Sequence, residues 1–194
     1  MLLVADIGNS STALGLWAEG SRIAHRWRVR SEPRRTPDET GILLRALLES
    51  IPDVPMELTG ACFASVVPPL TGTLIEAVRR YLRVPVHEFR FTPELGIRLE
   101  VDEPEQVGAD RVANTLGAHL AYPGPAIVVD FGTSTNFDVI SRDGAFLGGI
   151  IAPGLESGFE AFASRTALLP RVAVAFPESV IGKTTVANLQ IGVY

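Results

Sequence analysis

The sequence predicts an α/β fold made of two halves that start alike, and three observations carry that reading. One strand-turn-strand pattern occurs twice: Leu2-Leu3-Val4-Ala5 runs into Asp6-Ile7-Gly8-Asn9-Ser10-Ser11-Thr12, and Ala126-Ile127-Val128-Val129 runs into Asp130-Phe131-Gly132-Thr133-Ser134-Thr135. Between the two copies the hydrophobic period switches back and forth between that of strands and that of helices, as in a sheet covered by helices. A helical stripe over 110–122, with Val112, Leu116 and Leu120 on one side, joins the two series. Duplication of a whole half accounts for this spacing better than a short repeat array does.

Each half opens on a β-hairpin. The return strand is Ala13-Leu14-Gly15-Leu16-Trp17 in the first and Phe137-Asp138-Val139-Ile140 in the second. Residues 22–30 alternate in character and predict a third, half-exposed strand whose arginines face water. Thr36-Pro37-Asp38-Glu39 opens a helix in which Leu43, Leu44, Leu47, Leu48 and Ile51 recur at helical spacing, and Pro52 ends it. A strand over 61–67 follows. Pro68-Pro69 then introduces a helix with Leu74, Ile75, Val78 and Leu82 on one face. The last strand of the half, over 84–89, contains Pro85 and is therefore limited to an edge or an end. The series reads β-β-β-α-β-α-β. From Ala126 a second series begins with two or three strands, followed by a helix over 156–164.

The chemistry concentrates at the two hairpin tips. A glycine and small hydroxyl residues leave backbone N–H groups uncovered, and N–H and O–H donors are what a polyphosphate needs. Asp6 and Asp130, each at a strand end, suit the metal that accompanies such phosphates. Ordinary turn chemistry would look similar at either tip alone. A third segment, Glu105-Gln106-Val107-Gly108-Ala109-Asp110-Arg111, places an aspartate beside an arginine at a helix start. It suits a carboxylate base and a cation in a cleft, or else a first-turn aspartate that answers the helix dipole beside a solvated arginine. Gly182-Lys183-Thr184 lacks the glycine that a Walker A loop requires five positions earlier, where Pro177 stands, so that reading is rejected. Lys183 is the only lysine in the chain. Gly148-Gly149-Ile150-Ile151-Ala152-Pro153-Gly154 is a strand exit or, favoured by its place after the second hairpin, a loop whose glycines let backbone approach a ligand.

Composition sets limits. With 194 residues, 46% hydrophobic and 20% charged, the chain is that of an ordinary globular protein with a core that needs no staples. A net charge of −5 without a basic stripe argues against a nucleic-acid surface, so anionic substrates are held locally. The single cysteine, Cys62, excludes a disulfide framework and suits a reducing cytosol, and three scattered histidines show no zinc spacing. No signal peptide and no membrane-length apolar run are expected, because Asp6 interrupts the N-terminal run early.

Six segments in order carry a family resemblance: Asp6-Ile7-Gly8-Asn9-Ser10, Ser65-Val66-Val67-Pro68-Pro69, Gly108-Ala109-Asp110-Arg111, Asp130-Phe131-Gly132-Thr133, Gly148-Gly149 to Pro153-Gly154, and Gly182-Lys183-Thr184-Thr185. Together they resemble a type III pantothenate kinase, over the whole chain. The resemblance implies the actin-like ATPase fold of the acetate and sugar kinase superfamily, with two ribonuclease-H-like domains over 1–115 and 116–194. The second domain would be incomplete, since the chain stops at Tyr194 inside a predicted helix.

The implied activity is phosphorylation of pantothenate to 4'-phosphopantothenate with ATP and magnesium, the first step of coenzyme A synthesis, in a cytoplasmic homodimer. By the same resemblance, Asp6, Ile7, Gly8, Asn9, Ser10, Ser11, Thr12 and Ala13 receive the ATP phosphates, Asp6 lies near magnesium, and Thr133 contacts ATP. Asp130 matches the site of a monovalent cation, potassium or ammonium. Gly108, Ala109, Asp110, Arg111 and Thr185 match pantothenate contacts, and Asp110 matches the proton acceptor. Two positions depart from the pattern: Asn136 where many members have threonine, and Val101 where some place a tyrosine against the substrate. The rival expectations are a nucleotide-binding regulatory protein acting in transcription, a kinase for another small hydroxylated substrate, and an actin-like filament protein.

Overall fold

The first three strands form a continuous antiparallel meander: β1 (Leu2–Ile7), β2 (Ser11–Ala18) and β3 (Arg22–Arg30). This is seen in a computed structural model that describes residues 1–18, 22–52, 57–122, 124–166 and 168–194. The described residues divide into two compact units, 1–98 with 102–117, and 99–101 with 118–194.

In the first unit, α1 (Pro37–Glu49) begins at Thr36, whose side chain accepts the Glu39 N–H at 3.2 Å while the Glu39 carboxylate accepts the Thr36 N–H at 2.8 Å. This reciprocal cap satisfies two orphan helix donors. The Thr36 N–H and then its hydroxyl hold the Glu39 carboxyl below its ordinary pKa. The strand predicted over 61–67 is β4 (Gly60–Ser65), and it ends two residues early for a local reason. The Ser65 hydroxyl accepts the Val67 N–H at 3.0 Å and the Thr71 hydroxyl at 2.6 Å, which turns the chain into α2 (Pro68–Ala77). A wider π turn over Val78–Leu82 follows, closed by Arg83 in a left-handed conformation (φ 57°). Beyond it, β5 (Val86–Glu88) is an edge strand, as Pro85 requires.

The sheet order is β3-β2-β1-β4-β5, with β4 parallel to both β1 and β5. Strand alternation gives β1 two faces. Leu3, Ala5 and Ile7 point to the core with Leu14, Leu16, Ala61 and Phe63, against Leu44 and Leu48 of α1 and Leu74 and Ala77 of α2. Val4 and Asp6 point to the opposite face.

Three short elements precede the linking helix: a 3-10 turn over Pro93–Leu95, β6 (Arg98–Leu99) and a 3-10 turn over Pro104–Gln106. The helix itself, α3 (Ala109–Ala121), runs across the boundary of the two units. The second unit opens as the first does, with β7 (Ala126–Phe131), β8 (Ser134–Ile140) and β9 (Ala145–Pro153) in an antiparallel meander, and β6 added beside β9. Then come α4 (Leu155–Arg165) and α5 (Thr185–Val193), which bury Phe159 and Leu189.

The counterparts in β7 of Leu3, Ala5 and Ile7 are Ile127, Val129 and Phe131, and these are 64%, 41% and 65% exposed in this chain. The expected glycine loop at 148–154 is corrected: residues up to Pro153 are strand β9, paired with β8 from Ile140↔Phe146 to Ser134↔Pro153. Gly148 (φ 110°) accommodates the irregularity between Val139 and Ile140, so its freedom serves the sheet. Among the described residues no helix is long and apolar enough to cross a membrane.

Candidate functional site

The β1–β2 tip is built around its own backbone. Ile7 pairs with Thr12, so Gly8, Asn9, Ser10 and Ser11 close the turn, and the Gly8 N–H donates to Ser11 O at 3.2 Å. Asn9 and Ser10 are exposed at its end. Asp6 stands exposed on the open face of β1, between Ala13 of β2 and Ala64 of β4. A groove of about 450 Å³ runs over that face, floored by small residues (Ala13, Gly15, Cys62, Ala64) and bordered by Asp6, Arg26, Phe89 and Ala113. Burial pushes the Cys62 thiol up, so it stays protonated at neutral pH and serves as floor rather than nucleophile.

Ala113 is one turn beyond Asp110, so α3 brings the third predicted segment to this groove. An added Cβ on Gly108 would lie 3.3 Å from Val66, the residue directly after β4. Val66 N–H in turn donates to Ile7 O at 3.1 Å. The Gly108-Ala109-Asp110-Arg111 segment and the first tip therefore share one end of the sheet, where the parallel strands β1 and β4 finish, a usual place for ligands in α/β sheets. Asp110 and Arg111 are half-buried. Asp110 Oδ1 accepts the Arg111 N–H at 2.8 Å, and the carboxylate has no other hydrogen-bond partner among the described residues.

In the second unit, Phe131 pairs with Thr135, so Gly132, Thr133 and Ser134 make a tip one residue shorter. The Gly132 N–H donates to Ser134 O at 2.9 Å, as Gly8 does to Ser11. Asp130 is half-buried opposite Asn136, and Thr133 is exposed. Thr133 O accepts the Gly154 N–H at 3.0 Å and the Ser157 hydroxyl at 2.8 Å. Gly154 lies so close that an added Cβ would be 2.2 Å from Gly132 O and 2.6 Å from Thr133 O, both rigid backbone. Gly154→Ala is accordingly expected to cost about 1–3 kcal/mol of stability as the tip is pushed aside. Denaturant titration measures it, and an unchanged midpoint would show that the tip yields freely.

Lys183 and Thr185 are exposed, Thr185 in the first turn of α5, where Thr184 caps the helix by accepting the Ala187 N–H at 3.1 Å. Sequence reasoning missed two features. The register with β2 (Ser11↔Arg30, Ala13↔Arg28, Gly15↔Arg26) puts three exposed arginines on the face that carries Asp6. Their alternation was visible, but which face they share with the aspartate was not. The other is Ser31, buried behind the first tip. No cluster of three or more His, Cys, Asp or Glu that could hold a metal exists among the described residues. A single carboxylate nevertheless fits magnesium, which keeps several waters and takes its remaining ligands from substrate phosphates.

Comparison with known proteins identifies the family. The family model for type III pantothenate kinase matches residues 2–194. The chain is 46% identical over 193 residues to the type III pantothenate kinase of Frankia casuarinae, covering 99% of this chain and 75% of that one. It is 48% identical over 201 residues to the enzyme of the same name from Acidothermus cellulolyticus, covering 100% of this chain and 75% of the other. Among solved structures, a Campylobacter jejuni protein described as a Baf family transcriptional activator shares the fold, with TM-score 0.56 and 18% identity over 98% of this chain and 73% of that one. A mixed α/β architecture with two sheets in two compact units is thus the chain's fold, and the chain spans about three quarters of the length of these relatives. On this evidence the chain belongs to the type III pantothenate kinase family.

Proposed function

We propose that the two tips and the first turn of α3 divide between them the reaction of this family, the ATP-dependent phosphorylation of pantothenate that opens coenzyme A biosynthesis. The observation that carries this reading is the Asp110 carboxylate, half-buried at the sheet end where the first tip lies, with one oxygen committed to the Arg111 N–H. Phosphoryl transfer needs an oriented hydroxyl, neutralised phosphates and in-line geometry more than covalent help.

Residues 6–13 receive the phosphates through backbone N–H groups and hydroxyls, and Asp6 holds the magnesium that neutralises their charge. Thr133 contacts ATP from the second tip, and Asp130 binds potassium or ammonium. Gly108, Ala109 and Thr185 shape the pantothenate site, with Gly108 letting the chain pass close to Val66. The Arg111 guanidinium pairs with the substrate carboxylate, for which its planar fork is suited. Asp110 orients the primary hydroxyl of pantothenate and takes its proton as the new O–P bond forms and ADP leaves. The domains are read as 1–115 and 116–194, and the working form as a cytoplasmic homodimer.

The direct test is ADP release coupled to a reporter, with magnesium, potassium and pantothenate. Pantothenate-dependent turnover is expected, and its absence would overturn the reading. Preference for another hydroxylated acid or a sugar in a substrate panel would redirect it to a different kinase.

A further inference from the structure

The first tip is held from behind by one residue that lies outside the hairpin. Ser31 directly follows β3 and is 8% exposed. Its hydroxyl donates to Gly8 O at 2.6 Å, and its amide donates to Ser10 O at 3.1 Å. The hydroxyl has one proton, so the Thr12 hydroxyl, 3.0 Å away and itself 7% exposed, is the donor to Ser31 Oγ. In a trans peptide the C=O and the next N–H point in opposite directions. Pinning Gly8 O toward Ser31 therefore turns the Asn9 N–H away from Ser31.

The other half also holds its tip from behind, at a different carbonyl: Thr133 rather than Gly132, the counterpart of Gly8. Thr133 O accepts the Gly154 N–H and the Ser157 hydroxyl, and these residues again come just after the third strand of their unit. A carbonyl fixed there turns the Ser134 N–H the opposite way. Each tip is thus fixed from behind through its backbone carbonyls, the first at Gly8 and Ser10 and the second at Thr133.

We propose that Ser31 is a positioning residue for ATP: its hydroxyl sets the orientation of the tip peptides that receive the phosphates. The inference rests on the reading of residues 6–13 as the phosphate site. It is tested by the affinity for a non-hydrolysable ATP analogue, by calorimetry, together with the KM values for ATP and pantothenate. The proteins are the wild type, Ser31→Ala, Ser31→Thr and Asn9→Asp.

Ser31→Ala is expected to weaken the analogue and raise the ATP KM about tenfold, the worth of one hydrogen bond, with the pantothenate KM unchanged. Ser31→Thr keeps the hydroxyl, and a cavity of about 30 Å³ bordered by Ser31, Thr12 and Thr40 has room for the methyl. Its affinity should stay within about twofold of wild type, since the bond is retained. Asn9→Asp puts a negative charge on the tip itself and should weaken ATP if phosphates bind there. Weakening by Asn9→Asp without weakening by Ser31→Ala would overturn the inference and leave the phosphate site standing. No weakening in either would remove both. A Ser31→Ala protein whose two KM values rise together with a falling melting temperature would show a merely structural serine, and would also overturn the inference.

Discussion

Replacing Asp110 by asparagine is expected to lower kcat by about 10²- to 10⁴-fold, the usual worth of a positioned base, while ATP affinity stays near wild type. The substitution keeps the shape and keeps Oδ1 as acceptor for the Arg111 N–H, which it meets at 2.8 Å. It removes the capacity to take a proton. The competing role for this carboxylate is electrostatic: near the start of α3 it answers the partial positive charge of the helix end, an effect typically worth about 0.3–1 kcal/mol of stability. The two roles separate cleanly, because the dipole role predicts a small fall in melting temperature and an intact kcat. Unchanged turnover in Asp110→Asn would move the base elsewhere.

Phe63→Ala is expected to cost about 3–5 kcal/mol of folding stability, a large part of what a domain possesses. Phe63 is fully buried in β4, the strand between β1 and β5, and belongs to the cluster that joins the sheet to α1 and α2. The backbone on both sides of it is committed: it pairs with Ala5 of β1 and with Glu88 of β5, and its carbonyl accepts the Phe89 N–H at 2.7 Å. Neighbours fixed in this way cannot collapse into the space that the ring leaves. Denaturant unfolding checks it, and a loss below about 1 kcal/mol would show that this part of the core is not close-packed.

Much of the first unit was legible in the chain because the signals are local. The hairpin of β1 and β2 follows from apolar runs around a glycine turn, α1 from a capping box and a leucine stripe, and the edge position of β5 from Pro85. Where local signals were weak, the reading failed. Two-residue β6 has no period to detect, and the glycines of 148–154 suggested a loop where pairing with β8 makes a strand. Ladder hydrogen bonds to a neighbouring strand outweigh the low strand preference of glycine, which pairing context modulates.

The candidate site divides in the same way. Asp6, Asp110 and Asp130 stand out in sequence because each is a charge at the edge of an apolar or helical pattern, and the family's ordered motifs attach roles to them. Ser31 has no such mark: its partners Gly8, Ser10 and Thr12 lie 19 to 23 residues away and meet it only when β3 folds back on β2. The arginines at 26, 28 and 30 were readable as one face of a strand, yet only the register with β2 decided that this is the face of Asp6. A shift of one residue would have turned them to the core.

Periodicity, caps and motif order, all properties of neighbours along the chain, determined most of the element series and the family. The tertiary structure alone decided which carbonyls are gripped, which side chains share the groove, and that the Gly108–Arg111 segment lies at the same sheet end as the first tip. Those facts depend on strand register and on contacts between residues far apart in sequence, which no local pattern encodes.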